Sequence, residues 1–152
     1  MIRVLVDADA CPVKEETARV AIRHTVPLVF VSNAPFRIPA HPLVTRVVVG
    51  SGFDEADDWI ATHADAGTIV VTSDILLADR ALKAGAAVLA HNGKPFTTAG
   101  IGAAIATRAI MADLRAGVET DRGGGPPPFG KADRSRFLQA LDEALVRLKR
   151  HA

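Results

Sequence analysis

The sequence predicts an α/β protein, a three-layer doubly wound parallel sheet of about five strands with an extra C-terminal helix. Three observations carry this. Short β-branched runs alternate with segments of helical spacing along the first 90 residues, the order expected of βαβ units. The strand candidates, such as "IRVLV" and "TIVV", are continuous apolar runs, as strands covered on both faces require. Hydrophobic residues make up 49% of the 152 residues and aromatic ones only 5%, so one core of Val, Ile, Leu and Ala fits a single domain.

The elements follow in order. Residues 2–6, "IRVLV", form the first strand, and a helix starts at Pro12, a favoured first helical residue. Val13, Thr17, Val20, Ala21 and His24 then follow helical spacing. "VPLVFVS" (26–32) is the second strand and "LVTRVVVG" (43–50) the third. The three prolines of the intervening "NAPFRIPAHP" dictate an irregular connection. A helix begins at Asp54, strand four covers 68–73, a helix runs from Ile75 to about Ala84, and strand five covers 86–90. Residues 97–116 read as one Ala-rich helix stopped by Gly117. A Gly/Pro loop at 117–132 has no regular pattern, and the last helix, 133–150, carries Phe137, Leu141, Leu145 and Leu148 on one side. With no repeat and no second core, residues 1–152 are expected to be one domain.

Composition excludes some classes of function. No apolar stretch is long enough to cross a membrane, and the N-terminus has no signal-peptide pattern. One cysteine, Cys11, leaves no internal disulfide, which fits a cytoplasmic protein with no membrane partner. The net charge of +1 hides an asymmetry: residues 1–100 carry nine Lys/Arg against eleven Asp/Glu, and residues 101–152 nine against six. An acidic body with a basic C-terminal third can set metal ligands beside a polyanion-binding surface.

In a doubly wound sheet, ligands bind beyond the carboxyl ends of the strands. The informative residues are therefore Asp7 and Asp9 after strand one, Ser32 and Asn33 after strand two, and Thr72, Ser73 and Asp74 after strand four. Asp74 and Asp54 each precede a helix and can serve as N-caps. Asp7 is different, because it continues a strand buried on both faces, where a carboxylate must be paired, hydrogen-bonded or metal-bound. In "DEADDWIATHA" the buried face is Ala56, Trp59, Ile60 and Ala64, so Asp57 borders it and Asp58 points to solvent. Asp79 reaches the same rim or pairs with Lys83. Oxygen ligands without a Cys/His cluster suit Mg²⁺ or Mn²⁺, and such a cation activates water and neutralises a phosphoryl group. The expected ligands are Asp7, Asp9, Asp57, Asp74 and Asp79, with Asp7, Asp57 and Asp74 as the catalytic set. Cys11 is expected to be a small buried residue at the strand-to-helix turn.

"DADACPVK", "VVTSDILLADRALKAGA", "TRAIMADLRAG" and "GPPPFGKADRSRFLQALD" together resemble the YaiI/YqxD family of bacterial proteins over nearly the whole chain. More distantly, the chain is similar to PIN-like nuclease domains, with a Rossmann-like sheet. That resemblance implies a divalent-metal-dependent nuclease acting on nucleic acid, RNA ahead of DNA. It marks Asp7, Asp57 and Asp74 as the acidic residues, the last in a strand-end "T-x-D". The further acidic residue usual in such domains has only Glu15 and Glu16 as candidates here. Ser32, Asn33, Ser73, Arg108, Lys131 and Arg134 are the expected substrate contacts, the last three carried to the acidic edge by the Gly/Pro loop.

"VLVDADAC" and "VFVSN" also resemble haloacid-dehalogenase-type phosphatases, which implies Asp7 as nucleophile and Asp9 as general acid/base. That chemistry wants a cation near the phosphate, and no lysine lies between Lys14 and Lys83. A third reading is a non-catalytic RNA-binding module that uses the C-terminal cations for phosphate contacts.

Overall fold

The computed structural model describes residues 1–52, 54–117 and 128–151. Most of the expected 117–132 loop therefore lies outside the described residues. The elements are β1 (Arg3–Asp7), α1 (Lys14–Arg23), β2 (Leu28–Ser32), β3 (Val44–Val48), α2 (Glu55–His63), β4 (Thr68–Val71), α3 (Ile75–Lys83), β5 (Ala87–Leu89), β6 (Pro95–Phe96), α4 (Thr98–Gly117) and α5 (Lys131–Arg150). They form the expected three-layer α/β architecture around a sheet of order β3-β2-β1-β4-β5-β6. The first five strands are parallel, and β6 pairs antiparallel to β5.

Strand parity builds the layers. Val4 and Val6 of β1 face the same side as Phe30 of β2 and Val71 of β4, where they pack with Val20 and Ala21 of α1 and with Phe137, Leu141 and Leu145 of α5. Leu5, Val31 and Val70 face the other way and meet Ala56 and Ile60 of α2, Leu77 and Ala81 of α3, and Ile101 of α4. Both faces of the central strands are therefore apolar. This is the physical reason that their sequences are continuous and not alternating.

Two helix starts shift by two residues from expectation, and one strand was not expected. Helix α1 begins at Lys14, two residues after Pro12, because the chain first makes a tight turn. In that turn Ala10 takes a φ of 60° and the Cys11 N–H donates to Ala8 O at 3.2 Å. Helix α5 begins at Lys131, two residues before Asp133. Asp133 caps from within the first turn, its Oδ2 accepting from the Gly130 N–H at 2.9 Å. Strand β6 escaped the sequence reading altogether, since two residues give no periodicity to detect.

Candidate functional site

The topological switch lies between β1 and β4: β2 and β3 extend the sheet on one side of this pair, and β5 and β6 on the other. Open α/β sheets bind ligands in the crevice beyond the strand ends at such a point. Asp7 is the last residue of β1. Alternation places it with Leu5, on the face covered by α2 and α3. The first turn of α2 supplies Asp57 to that same place, and the N-cap of α3 supplies Asp74.

Thr72, fully buried one residue past β4, ties two of these carboxylates together. Its Oγ1 donates to Asp7 Oδ2 at 3.0 Å and accepts from the Asp74 N–H at 3.0 Å. Asp74 is the N-cap of α3, its Oδ1 accepting from the N–H groups of Leu76 at 2.9 Å and Leu77 at 3.3 Å. Both capping bonds use Oδ1. Asp57 lies near enough to Asp74 for the two carboxyls to act on each other. Two carboxylates so placed cannot both ionise without cost. Burial, followed by the charges of Asp74, Asp7 and Asp54, pushes the Asp57 carboxyl up to about 6. Asp7 is also raised, mainly by burial, with the Thr72 hydrogen bond opposing and the charges of Asp9 and Asp74 adding to the rise.

Asp9 sits at the mouth. Its Oδ2 accepts from the Asn33 N–H at 3.1 Å. The Ser32 hydroxyl lies 2.8 Å from Asp9 Oδ1 and 2.7 Å from Ala34 O, with one proton for the two acceptors. Asp7, Asp9, Asn33 and Asp57 line a cleft of about 330 Å³, together with Ser51, Asp54 and Glu55. Asp54 precedes α2 as expected, yet it takes a left-handed φ of 63° and its side chain caps nothing.

Other expected site residues lie elsewhere. Asp79 turns to Lys83, at 2.9 Å. Ser73 is exposed, and its Oγ accepts from the His91 N–H at 3.3 Å. Arg108 is on the exposed part of α4, and Lys131 is exposed at the start of α5. Arg134 packs on the opposite face of the sheet, 3.0 Å from Glu16 and 2.6 Å from Pro12 O. Glu16 is thereby spent on an ion pair away from the acidic cleft. Among the described residues, no group of three or more His, Cys, Asp or Glu side chains is gathered tightly enough to hold a metal ion as it stands. Cys11 is buried, and desolvation pushes its thiol up to about 11, which removes it as a nucleophile.

Sequence reasoning saw Thr72 only as part of a strand-end motif and missed its bridging role. The signal was present, since a hydroxyl one residue beyond a buried strand must find a partner. It also missed Ser51 and, at the start of α2, Glu55 on the cleft wall, because nothing in the sequence around them marks a site.

The family model described as "Uncharacterized BCR, YaiI/YqxD family" matches residues 5–147. A "UPF0178 protein" of Sphingopyxis alaskensis is 72% identical over 147 residues, covering 97% of this chain and 95% of the relative. Similar proteins of that name from Jannaschia sp. and Rhodopseudomonas palustris are 56% and 54% identical, covering 96% and 97% of this chain and 94% and 89% of the relatives. No solved structure matches the chain significantly.

Proposed function

The chain belongs to the YaiI/YqxD family, and from that premise we propose that it is a divalent-metal-dependent nuclease hydrolysing phosphodiesters of single-stranded nucleic acid, RNA foremost. One observation carries the reading. Three separate elements deliver Asp7, Asp57 and Asp74 to one face of the sheet at its switch point, where burial first, and then the charges of their acidic neighbours, raise Asp7 and Asp57. A cluster that costs stability when ionised is a cluster that a cation relieves.

The donors are hard oxygens, which suit Mg²⁺ or Mn²⁺. Asp7, Asp57 and Asp74 would hold the ion, with Asp9 available at the mouth. Among the described residues no three such side chains are gathered as they stand, so holding the ion would require them to rotate toward it. When bound, the ion supplies charge neutralisation at a phosphoryl oxygen and an activated water. Thr72 acts as a positioning residue, holding Asp7 from one side and the backbone of Asp74 from the other.

The phosphatase reading has less to stand on. Among the described residues lining the cleft there is no lysine or arginine, the group that would hold a phosphate beside an aspartate nucleophile. A cleavage assay separates the readings. With Mn²⁺, the protein is expected to cut single-stranded RNA or DNA and to release little phosphate from a generic monoester, and Asp7→Asn should abolish cutting. Monoesterase activity with an aspartyl-phosphate on Asp7 would replace the reading by the phosphatase. Salt-dependent retention of RNA without cutting would replace it by the binding module.

A further inference from the structure

A second hollow is larger than the acidic cleft. It lies on the other side of Asp9, between the start of α1 and the 33–40 connection, with a volume of about 660 Å³, within the range of about 300–1,000 Å³ typical of small-molecule sites. One wall is apolar: Phe36, Ile38 and Pro39 from the connection, with Phe30 behind them. The opposite wall and the rim bring Lys14, Arg37 and Arg134 together with the carboxylates of Glu15 and Glu16. Arg134 is matched by Glu16 at 3.0 Å. Among the described residues, Lys14 and Arg37 form no ion pair. The cavity therefore has one apolar wall and a charged rim, on which Lys14 and Arg37 are two cations free of ion pairs and Glu15 a single opposing carboxylate.

Its walls are pre-formed. The Phe36 ring meets Phe30 edge-on at 5.6 Å, and the Arg46 guanidinium holds Phe36 O. The Ala34 N–H donates to Ser32 Oγ at 3.1 Å, which fixes the start of the connection. The Lys14 ammonium sits 5.1 Å from the Phe36 ring centre, so one cation is already placed against the aromatic wall. A connection with three prolines that is pinned in this way loses little further entropy when a ligand enters.

The position is as informative as the chemistry. Asp9 lines the acidic cleft and Cys11 lines the cavity. One residue, Ala10, separates them, so their Cα atoms are at most about 7 Å apart. The Ser32 hydroxyl at 2.8 Å and the Asn33 N–H at 3.1 Å hold the Asp9 carboxylate at the start of this short stretch. An acidic cleft that repels phosphate unless it holds a cation thus adjoins a slot that attracts phosphate without one.

We propose that the slot bounded by Lys14, Phe36, Arg37 and Ile38 binds one nucleotide of a single strand, its phosphate on Lys14 and Arg37 and its base or sugar against Phe36 and Ile38. Cationic side chains flanking an aromatic wall are the general means of holding single-stranded nucleic acid without reading its sequence. The slot takes the nucleotide that flanks the phosphodiester in the acidic cleft, so the role of this nucleotide in cleavage rests on the nuclease reading, whereas its binding does not.

The test is run in EDTA, which removes metal chemistry. Binding of a fluorescent single-stranded oligonucleotide is followed by anisotropy against salt concentration for the full chain, for Lys14→Ala with Arg37→Ala, and for Ile38→Asp, each checked for an unchanged melting curve. The double variant should weaken binding about tenfold or more and lower the salt slope by about one, for the one phosphate that the two cations share. Ile38→Asp should weaken binding without removing a cation, and a nucleoside monophosphate should compete better than inorganic phosphate. Lost binding in these variants upholds the slot even if no Mn²⁺-dependent cutting is ever seen, in which case the nuclease reading alone falls. Equal affinities and slopes for folded variants and the parent, or no binding by the parent, would overturn the proposal.

Discussion

At the level of single residues, the carboxyl of Asp57 has the most direct consequence for stability. Folded, it keeps its proton up to about pH 6, whereas unfolded it releases it near the ordinary aspartate value of 3.8. Between those values the folded state binds more protons, so this group's contribution to stability is full at low pH and is lost as pH rises. Asp57→Asn should therefore stabilise the protein at pH 7 in EDTA, by about 1 kcal/mol once solvent screening of a partly exposed group is allowed for. The gain should vanish below about pH 4, as urea unfolding at the two pH values can measure. Thr72→Val should act in the opposite sense. It strips Asp7 of its donor and orphans the Asp74 N–H, costing about 1–3 kcal/mol and pushing the Asp7 carboxyl higher still. Asp7 could be singled out from the sequence alone because a carboxylate ending a doubly covered strand has to be explained. The spending of Glu16 and Arg134 on each other could not, since they are brought together by the docking of α5 on α1, a contact between residues 118 positions apart.

Among the elements, α5 shows most clearly what local pattern reveals and what it hides. Its amphipathic stripe was plain in the sequence, and Phe137, Leu141 and Leu145 are fully buried. Phe137→Ala should accordingly cost about 3–5 kcal/mol in chemical unfolding. What the stripe packs against was not visible. The turn between β5 and β6 reaches α5 at Gly93, which has a φ of 88° and where an added Cβ would come 2.6 Å from Arg136 O. Both the backbone conformation and the contact exclude a side chain there. Gly93→Ala should lower the melting temperature by several degrees, whereas Gly102→Ala, on an open face of α4, should not lower it. An equal response at the two glycines would contradict the docking of this turn on α5. The start of α1 moved by two residues for a related reason. Pro12 is a good first helical residue, but the Ala8–Cys11 turn comes first and is set by the strand exit, not by helix propensity.

Across the whole molecule, the sequence of alternating elements led directly to the parallel sheet and its two apolar faces. The switch point follows from strand order, which no local signal records. That order turns scattered aspartates into neighbours: Asp7, Asp57 and Asp74 are far apart in the chain and share one sheet face because β1 and β4 pair directly. The same order divides the sheet edge into an acidic cleft and a cation-flanked slot on either side of Asp9. The basic C-terminal third contributes Arg134 to the slot, and there it serves Glu16. The claim on which the functional account rests is that the acidic cleft holds a divalent cation through Asp7, Asp57 and Asp74. Calorimetric titration of Mn²⁺ into the full chain and into Asp7→Asn at pH 7.5 tests it most directly. The account predicts saturable binding by the parent, at least about tenfold weaker binding by the variant, and affinity that falls below about pH 6 as protons compete for Asp57. Equal affinities for the two proteins, or no binding by either, would contradict it.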